Sequence, residues 1–169
     1  MHHDIFNILN MSLKHFQLHS RLLKALANPK RLEIVQLLRN DCLTVGEIER
    51  MTGLNQADIS QNLQILRQEN LVVAKREGKE ISYCLAHPNI IKAFDAIHAI
   101  LVDRKKIKPG HNKRSRVPIP TIIDPVCGMR VLPQQAAFLH RYKRTTYYFC
   151  ASGCQKNFKK NPEKYVPNN

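Results

Sequence analysis

The stretch from Thr44 to Val73 limits most strongly what this chain can fold into, because two short helical patterns meet there at a glycine. Thr44 followed by Glu47 has the spacing of a capping box, in which a hydroxyl and a carboxylate satisfy the free amides at a helix start. Gly53 suits the left-handed residue that ends this first helix. Asn55 suits the N-cap of the second helix. The stretch therefore predicts a helix–turn–helix.

The second helix of this pair has an apolar side and a polar side. Ile59, Leu63 and Leu66 recur at helical spacing and are expected to be buried. The opposite side carries Gln56, Ser60, Gln61, Gln64 and Arg67. Amides, a hydroxyl and a guanidinium are the groups that read base edges in the major groove of double-stranded DNA. An ordinary helical hairpin with a solvated polar face fits the same pattern.

The next segment, from Leu71 to Leu85, changes from a helical to a β period. Its two β-prone runs, LVVAKR and EISYCL, are separated by Glu77-Gly78-Lys79, which predicts a hairpin. Lys75, Arg76 and Lys79 place basic groups on this hairpin. A basic hairpin directly after a recognition helix is typical of a wing that touches phosphate. A surface hairpin with solubilising lysines is the alternative.

Two further helical patterns flank this central region. One runs from Leu13 to Leu26, and a second helix is expected to start at Pro29, where a missing amide costs nothing. The pattern from Pro88 to Lys106 has an apolar stripe too wide for a helix that only covers a small domain. We expect part of that stripe, together with the first helix, to form a homodimer face. Core packing within one chain is the competing explanation.

The distribution of charge divides the chain into three regions. The net charge is +14, and residues 104–116 carry seven basic groups and no acidic one. We therefore predict a globular domain over residues 1–104, a basic flexible linker over 105–120 and a small module over 121–169. The basic excess favours a polyanionic partner. No apolar run approaches the roughly 18 residues of a membrane span, and no export signal is visible. Five cysteines without such a signal indicate reduced thiols and a cytoplasmic protein.

The C-terminal module contains Cys127, Cys150 and Cys154. Cys150 ends the strand-like run TTYYFC, and Cys154 falls in the first turn of the helix expected after it. Cys127 lies in a Pro-Val-Cys-Gly turn that can fold back toward the other two. A segment this short cannot easily bury enough surface to fold unaided, so a metal clip would supply the missing stability. The three cysteines are therefore the candidate metal ligands.

Residues 13–106 resemble the ArsR/SmtB family of winged-helix repressors. The phrases that carry the resemblance are LLKALANPKRLEIVQLL, LTVGEI, QADISQNLQILRQENLV and REGKEISYCL. The resemblance implies a homodimeric, cytosolic repressor that leaves its operator when an inducer binds. It also implies that Gln56, Ser60, Gln61 and Asn62 contact DNA.

The sensor sites of that family are poorly represented in this chain. Thr44-Val45-Gly46 stands where arsenic-sensing relatives have Cys-Val-Cys, and Ile100 stands at one ligand position of the zinc-sensing relatives. Cys42 and Cys84 do not match the persulfide-sensing positions either, and we expect them to be small, semi-buried apolar residues.

The C-terminal segment resembles a YHS domain, related to the TRASH metal-binding modules, through DPVCGM, YYFCASGC and the closing F-x-x-NPEKY. The resemblance implies three thiolate ligands, with His140 or a water as an outside fourth. Three soft ligands favour Cu(I), Ag(I) or Hg(II), and Zn(II) needs only one more donor. The basic neighbours Arg130, Lys156 and Lys159 are expected to lower the thiol pKa values. A permanent structural zinc site, and redox chemistry of the Cys150/Cys154 pair, remain alternatives.

The sequence thus predicts a mainly α fold with a β-hairpin wing, that is, a winged helix–turn–helix, plus a small α+β, zinc-finger-like module. The function expected from it is a metal-responsive transcriptional repressor that binds operator DNA as a homodimer. A thiol-redox or sulfide-responsive repressor is the main alternative. An enzyme is not expected, because no paired histidine and acid accompanies the cysteines and no phosphate loop is present.

Overall fold

In a computed structural model of the chain, the described residues are 13–104, 122–133, 136 and 138–166. The first part contains α1 Leu13–Leu26, α2 Pro29–Leu37, β1 Leu43–Thr44, α3 Val45–Thr52, α4 Gln56–Gln68, β2 Val72–Glu77, β3 Glu80–Leu85 and α5 Asn89–Asp103. The second contains β4 Ile122–Ile123, β5 Arg130–Val131, β6 Phe138–Tyr142, β7 Thr145–Phe149, α6 Ser152–Lys160 and a 3-10 turn Pro162–Lys164. The predicted fold class is confirmed. The linker expected over residues 105–120 lies outside the described residues.

The helix–turn–helix comprises α3 and α4, and local hydrogen bonds set its boundaries. The Thr44 hydroxyl accepts the Glu47 N–H at 3.3 Å, while the Glu47 carboxylate accepts the Thr44 N–H at 2.8 Å. Gly53 ends α3 with a φ of 71°, in the left-handed region that glycine adopts without strain. The Asn55 side chain then accepts the Asp58 N–H at 2.8 Å and starts α4. The predicted capping residues are those observed.

The wing is part of a three-stranded antiparallel sheet in the order β1-β3-β2. Strands β2 and β3 form the predicted hairpin, in register from Val72 opposite Leu85 to Glu77 opposite Glu80. Strand β1 pairs with the other edge of β3, with Leu43 opposite Tyr83. The short β1 leads directly into α3, so the sheet connects the start of the helix–turn–helix to the wing.

One hydrophobic core extends across both parts of the chain. Its winged-helix side consists of residues that are nearly inaccessible to solvent, among them Ile34, Val35, Leu37, Ile48, Met51, Ile59, Leu63 and Leu66. Phe149, Ala151, Cys154 and Phe158 of the second part belong to the same buried cluster. The C-terminal module, here residues 122–166, therefore packs directly on the winged helix.

Helices α1 and α5 keep large apolar side chains on their surfaces. Leu13, Phe16, Leu18, Leu22, Leu23, Ile97 and Ile100 are each at least 40 % exposed. Within the described residues, no helix combines the length and the apolar character that crossing a bilayer requires.

Candidate metal centre and nucleic-acid interface

The structure brings together the three cysteines singled out in the C-terminal module. The Cys127 Sγ lies 3.4 Å from the Cys150 Sγ, and the Cys150 Sγ lies 3.7 Å from the Cys154 Sγ. Cys127 occupies the turn before β5, Cys150 directly follows β7, and Cys154 is in the first turn of α6. All three are free cysteines. We refer to them as the thiol cluster.

Asp124 is a fourth member of this site that sequence reasoning missed. It is fully buried, and one carboxylate oxygen accepts the Val126 N–H at 2.8 Å while the other accepts the Cys150 N–H at 2.9 Å. The ligand atoms of Asp124 and the three cysteines all lie within 4.8 Å of one another. The Asp-Pro pair at the start of this turn is a local signal that could have identified it, since Asp side chains bond backbone amides two residues on.

The thiols set one another's acidity. Hydrogen bonds from Cys150 and from Cys154 lower the pKa of Cys127 to about 3. Hydrogen bonds with Cys127 and Cys154 raise the pKa of Cys150, and the hydrogen bond with Cys127 raises the pKa of Cys154. Burial raises the pKa of the Asp124 carboxyl. The contacts among the three thiols therefore favour the charged form of Cys127.

The expected cause of thiol acidity needs correction. Arg130, Lys156 and Lys159 were expected to lower the thiol pKa values from the sequence. Only the pKa of Cys127 is lowered, and its cause is the contact with the neighbouring thiols. The pKa values of Cys150 and Cys154 are raised instead, and the three basic side chains are exposed.

The donor set fits a soft or borderline metal ion. Two thiolates bound to one tetrahedral zinc ion at about 2.3 Å lie about 3.8 Å apart, close to the separations in the thiol cluster. Three sulfurs suit thiophilic ions, and the carboxylate of Asp124 would be the fourth donor for a zinc ion. His140, considered as a fourth ligand, lies outside this group, and its ring packs edge-on against Phe158.

A cleft between the end of α2 and the C-terminal module gives access to the cluster. Leu37 and Arg39 line it on the winged-helix side, and Met129, Val131 and Cys150 line it on the other. Cys127 and Cys150 are half-buried, whereas Cys154 is fully buried. The cleft therefore reaches the thiol cluster at Cys150.

The expectation for the remaining cysteines was wrong. Cys42 and Cys84 were expected to be separate, reduced thiols, and in the structure a disulfide joins them. The reason is the register of the sheet: Leu43 lies opposite Tyr83, so the next pair along the two strands is Cys42 and Cys84, with Cα atoms 4.4 Å apart. Because the two residues are 42 positions apart, their proximity is a property of the sheet and not of any local motif.

The polar face expected to meet DNA is present on α4 and the wing. The exposed residues there are Gln56, Ser60, Gln61, Gln64 and Arg67 on the helix, and Lys75, Arg76 and Lys79 on the hairpin. Two of them contact neighbouring groups. Gln56 donates to the Glu49 carboxylate at 2.9 Å, and the Arg76 Nε donates to the Gly78 carbonyl at 3.1 Å.

Asn62 does not share this face, which corrects its assignment as a DNA contact. Only 8 % of Asn62 is exposed, and its amide nitrogen donates to the Asp58 carbonyl at 2.8 Å. Asn62 is therefore on the buried side of α4, although its neighbour in sequence, Gln61, is exposed.

Two family models match the chain, one for each part. The model for bacterial regulatory proteins of the arsR family matches residues 28–73, and the model for the YHS domain matches residues 122–169. The second match and the Cys/Asp cluster together suggest that the C-terminal module binds a metal.

Curated relatives and solved structures resemble the N-terminal half. A biofilm growth-associated repressor of Agrobacterium fabrum is 38% identical over 79 residues, which cover 47% of this chain and 68% of that protein. The transcriptional activator HlyU of Vibrio cholerae is 34% identical over 79 residues, covering 47% of this chain and 73% of that protein. A homodimeric winged helix–turn–helix DNA-binding domain from Mycobacterium bovis superposes with a TM-score of 0.52 at 29% identity, covering 63% of this chain and 98% of that one.

Proposed function

This chain belongs to the ArsR family of bacterial transcriptional regulators, which are DNA-binding proteins and not enzymes, and we propose that it is a metal-responsive repressor. The homodimer binds operator DNA in the cytoplasm and releases it when the thiol cluster binds a thiophilic metal. In this proposal residues 1–104 recognise DNA, residues 105–120 link the two parts and residues 121–169 detect the metal. The single observation that carries it is the convergence of three free cysteines and a buried aspartate in a module packed on the helix–turn–helix.

The DNA side of the proposal rests on the exposed face of α4. Ser60, Gln61 and Gln64 are exposed and offer the hydroxyl and amide groups that bond base edges in the major groove. Lys75 and Lys79 lie on the wing beside this helix, where cations contact phosphate and position the helix without reading sequence.

The dimer side rests on the apolar surfaces of α1 and α5. Phe16 and Leu23 of α1 are each 55 % exposed, and Ile97 and Ile100 of α5 are about half exposed. Large apolar side chains exposed together on the two helices favour an interaction site there. A second copy is its natural occupant, since the related Mycobacterium bovis domain is a homodimer.

The metal side rests on the donor set. A bound cation would link the three thiolates, and its positive charge would offset their negative charges. Cys127, Cys150 and Cys154 would hold the ion as thiolates, and the contacts with the other two thiols already lower the pKa of Cys127. Asp124 holds the backbone amide of Cys150 and so fixes the direction of that thiol. Cu(I), Ag(I) and Hg(II) suit the three sulfurs, and Zn(II) suits the set that includes Asp124.

A Cys150→Ser variant tests this proposal. The probe is a DNA duplex selected from a random library by the metal-free dimer, measured with and without Cu(I) under anaerobic, reducing conditions. The wild type is expected to lose duplex affinity roughly tenfold or more with Cu(I), a typical coupling between two sites. The variant is expected to lose no affinity. The matched control, Cys42→Ser with Cys84→Ser, removes the two cysteines outside the cluster and is expected to respond like the wild type.

Two results would reject the proposal. If Cys150→Ser responds to Cu(I) as the wild type does, the thiol cluster is not the sensor. If the wild type holds zinc in a fixed ratio and its duplex affinity ignores every added metal, the module is a structural zinc site.

A second candidate, a thiol-redox-responsive repressor, is favoured by the Cys42–Cys84 disulfide. Cys42 is exposed and borders an open groove on the surface, so an oxidant can reach the pair. A peroxide would oxidise the two thiols to the disulfide and be reduced to water or to water and an alcohol. This candidate requires that the Cys42–Cys84 cross-link, mapped by mass spectrometry after peroxide treatment, appears in step with a change in duplex affinity. A cross-link that forms without changing the affinity rejects it.

A further inference from the structure

The C-terminal module touches the winged helix at the turn between α3 and α4. Gly153, a buried residue in the first turn of α6, lies at this contact. A Cβ atom at this position would lie 2.6 Å from the Thr52 carbonyl carbon and 2.8 Å from the Gly53 nitrogen, and nearer still to the Met51 carbonyl oxygen. These are backbone atoms, which cannot move aside as a flexible side chain can. Only glycine therefore permits α6 to lie this close to the helix–turn–helix.

A hydrogen bond adjoining this contact orients the same end of α6. The backbone N–H of Ser152 donates to the Glu33 carboxylate of α2 at 2.8 Å. The first amides of a helix have no partner within the helix, and the positive end of the helix dipole favours a carboxylate there. Glu33 thus holds the start of α6 against the winged helix.

The docking residues lie between two members of the thiol cluster. Cys150 precedes Ser152 by two positions, and Cys154 directly follows Gly153. A shift of either thiol therefore moves the docking residues with it, because Cys154 and Gly153 belong to the same helical turn. On the other side of the contact, Gly53 and Asn55 lead directly into α4.

We propose that the packing of Gly153 against the end of α3 and Gly53 transmits the state of the thiol cluster to the DNA-reading helix. The inference rests on the proposed function, since it names the route by which metal binding alters operator affinity. The contact leaves no room for an added atom, so a change at the cluster displaces the turn. A displaced turn changes where α4 begins, and hence how its exposed side chains meet the major groove.

The test compares two glycine-to-alanine substitutions in the full-length dimer. Gly153→Ala adds the Cβ that the contact excludes, whereas Gly46→Ala, on α3, adds a Cβ with no atom within 4 Å. Duplex affinity is measured with and without Cu(I), using the duplex selected by the metal-free wild type, and Cu(I) binding is measured by chelator competition. Gly153→Ala is expected to bind Cu(I) with unchanged stoichiometry, while the effect of Cu(I) on duplex affinity falls from roughly tenfold to within about twofold. Gly46→Ala is expected to keep the wild-type response.

Hydrogen exchange of the Gly53 and Leu54 amides gives a readout that does not depend on DNA. The Gly53 N–H donates to the Glu49 carbonyl at 2.8 Å and the Leu54 N–H to the Thr52 hydroxyl at 3.2 Å, so both report on the turn. Cu(I) is expected to change their exchange rates in the wild type and in Gly46→Ala, but not in Gly153→Ala.

The outcomes separate the two proposals. If Gly153→Ala responds to Cu(I) as the wild type does, in affinity and in exchange, the transmission route is rejected and the metal sensor stands. If the wild type itself ignores Cu(I), the proposed function and the route both fail. Should Gly153→Ala not fold, Glu33→Ala removes the neighbouring hydrogen bond without adding an atom, and a wild-type response in that variant would overturn the route.

Discussion

At the scale of single residues, Asp124 connects two segments that form the site. Its carboxylate holds the turn around Cys127 through Val126 and holds the end of β7 through Cys150, 26 positions away in the sequence. The cysteines themselves were predictable, because their residue type and the strand-to-helix pattern around Cys150 and Cys154 are local signals. Asp124 was not predicted as part of the site, since the Asp-Pro turn signals only its local bond to Val126, whereas its bond to Cys150 joins distant segments.

Replacing Asp124 with Ala is expected to destabilise the metal-free protein. Two backbone amides, those of Val126 and Cys150, lose their acceptor inside the module. A polar group left without its partner costs about 1–3 kcal/mol, so the free energy of unfolding should fall by about that amount. Urea unfolding measures the change. Asp103→Ala, at the exposed end of α5, is the matched control, and equal stability of the two variants would refute the role given to Asp124.

The Arg39–Asp95 ion pair predicts a pH dependence of stability. The hydrogen bond from Arg39 holds the pKa of Asp95 below its ordinary value of 3.8. A carboxyl whose pKa is lower in the folded than in the unfolded chain stabilises the fold above its unfolded pKa. That contribution disappears as the pH falls from 3.8 through the lower folded-state value.

Asp95→Asn is therefore expected to lower the free energy of unfolding at neutral pH by at most about 1 kcal/mol, because the Asp95 side chain is half exposed and solvent screens the pair. The difference from the wild type should shrink to nothing as the pH is lowered through this window. Urea unfolding at a series of pH values provides the check, and a difference that stays constant with pH would contradict it.

At the scale of elements, short-range chemistry determines most of the helix–turn–helix. The capping box of Thr44 and Glu47, the left-handed Gly53 and the Asn55 cap each involve residues within a few positions of one another, which is why the sequence predicted the boundaries of α3 and α4. The same reasoning misplaced Asn62. Asn62 lies at the border between the polar and the buried side of α4. At such a position helical periodicity does not determine whether the side chain is exposed, and packing against the core does.

The wing and the recognition helix should contribute differently to DNA binding. Lys79→Ala removes a cation at the tip of the hairpin and is expected to weaken binding to all DNA sequences. The slope of log affinity against log salt concentration should become shallower by about one. Gln61→Ala is expected to weaken the selected duplex more than a scrambled one, since it removes a base contact. Affinity measured over a range of salt concentrations for both duplexes separates these effects. Lys160→Ala, in the C-terminal module, is the control for lost charge.

At the scale of the whole molecule, the two parts behave as neighbours with a common core. The charge pattern predicted two modules, but it carried no information on how they pack. Their contact depends on small residues, Gly153 and Ala151, and on the burial of Phe149, none of which stands out in a composition or a periodicity. This contact places the thiol cluster beside the turn of the helix–turn–helix, and it is the structural basis for the claim that metal binding weakens operator binding.

The most direct test of that claim measures the affinity of the thiol cluster for Cu(I) with and without the selected duplex. Coupling between two sites is reciprocal, so DNA must weaken Cu(I) binding by the same factor by which Cu(I) weakens DNA binding, roughly 5–150-fold for typical coupled sites. We predict that chelator competition on the wild-type dimer will show this loss when the duplex is present. An affinity for Cu(I) that is the same with and without the duplex would contradict the account.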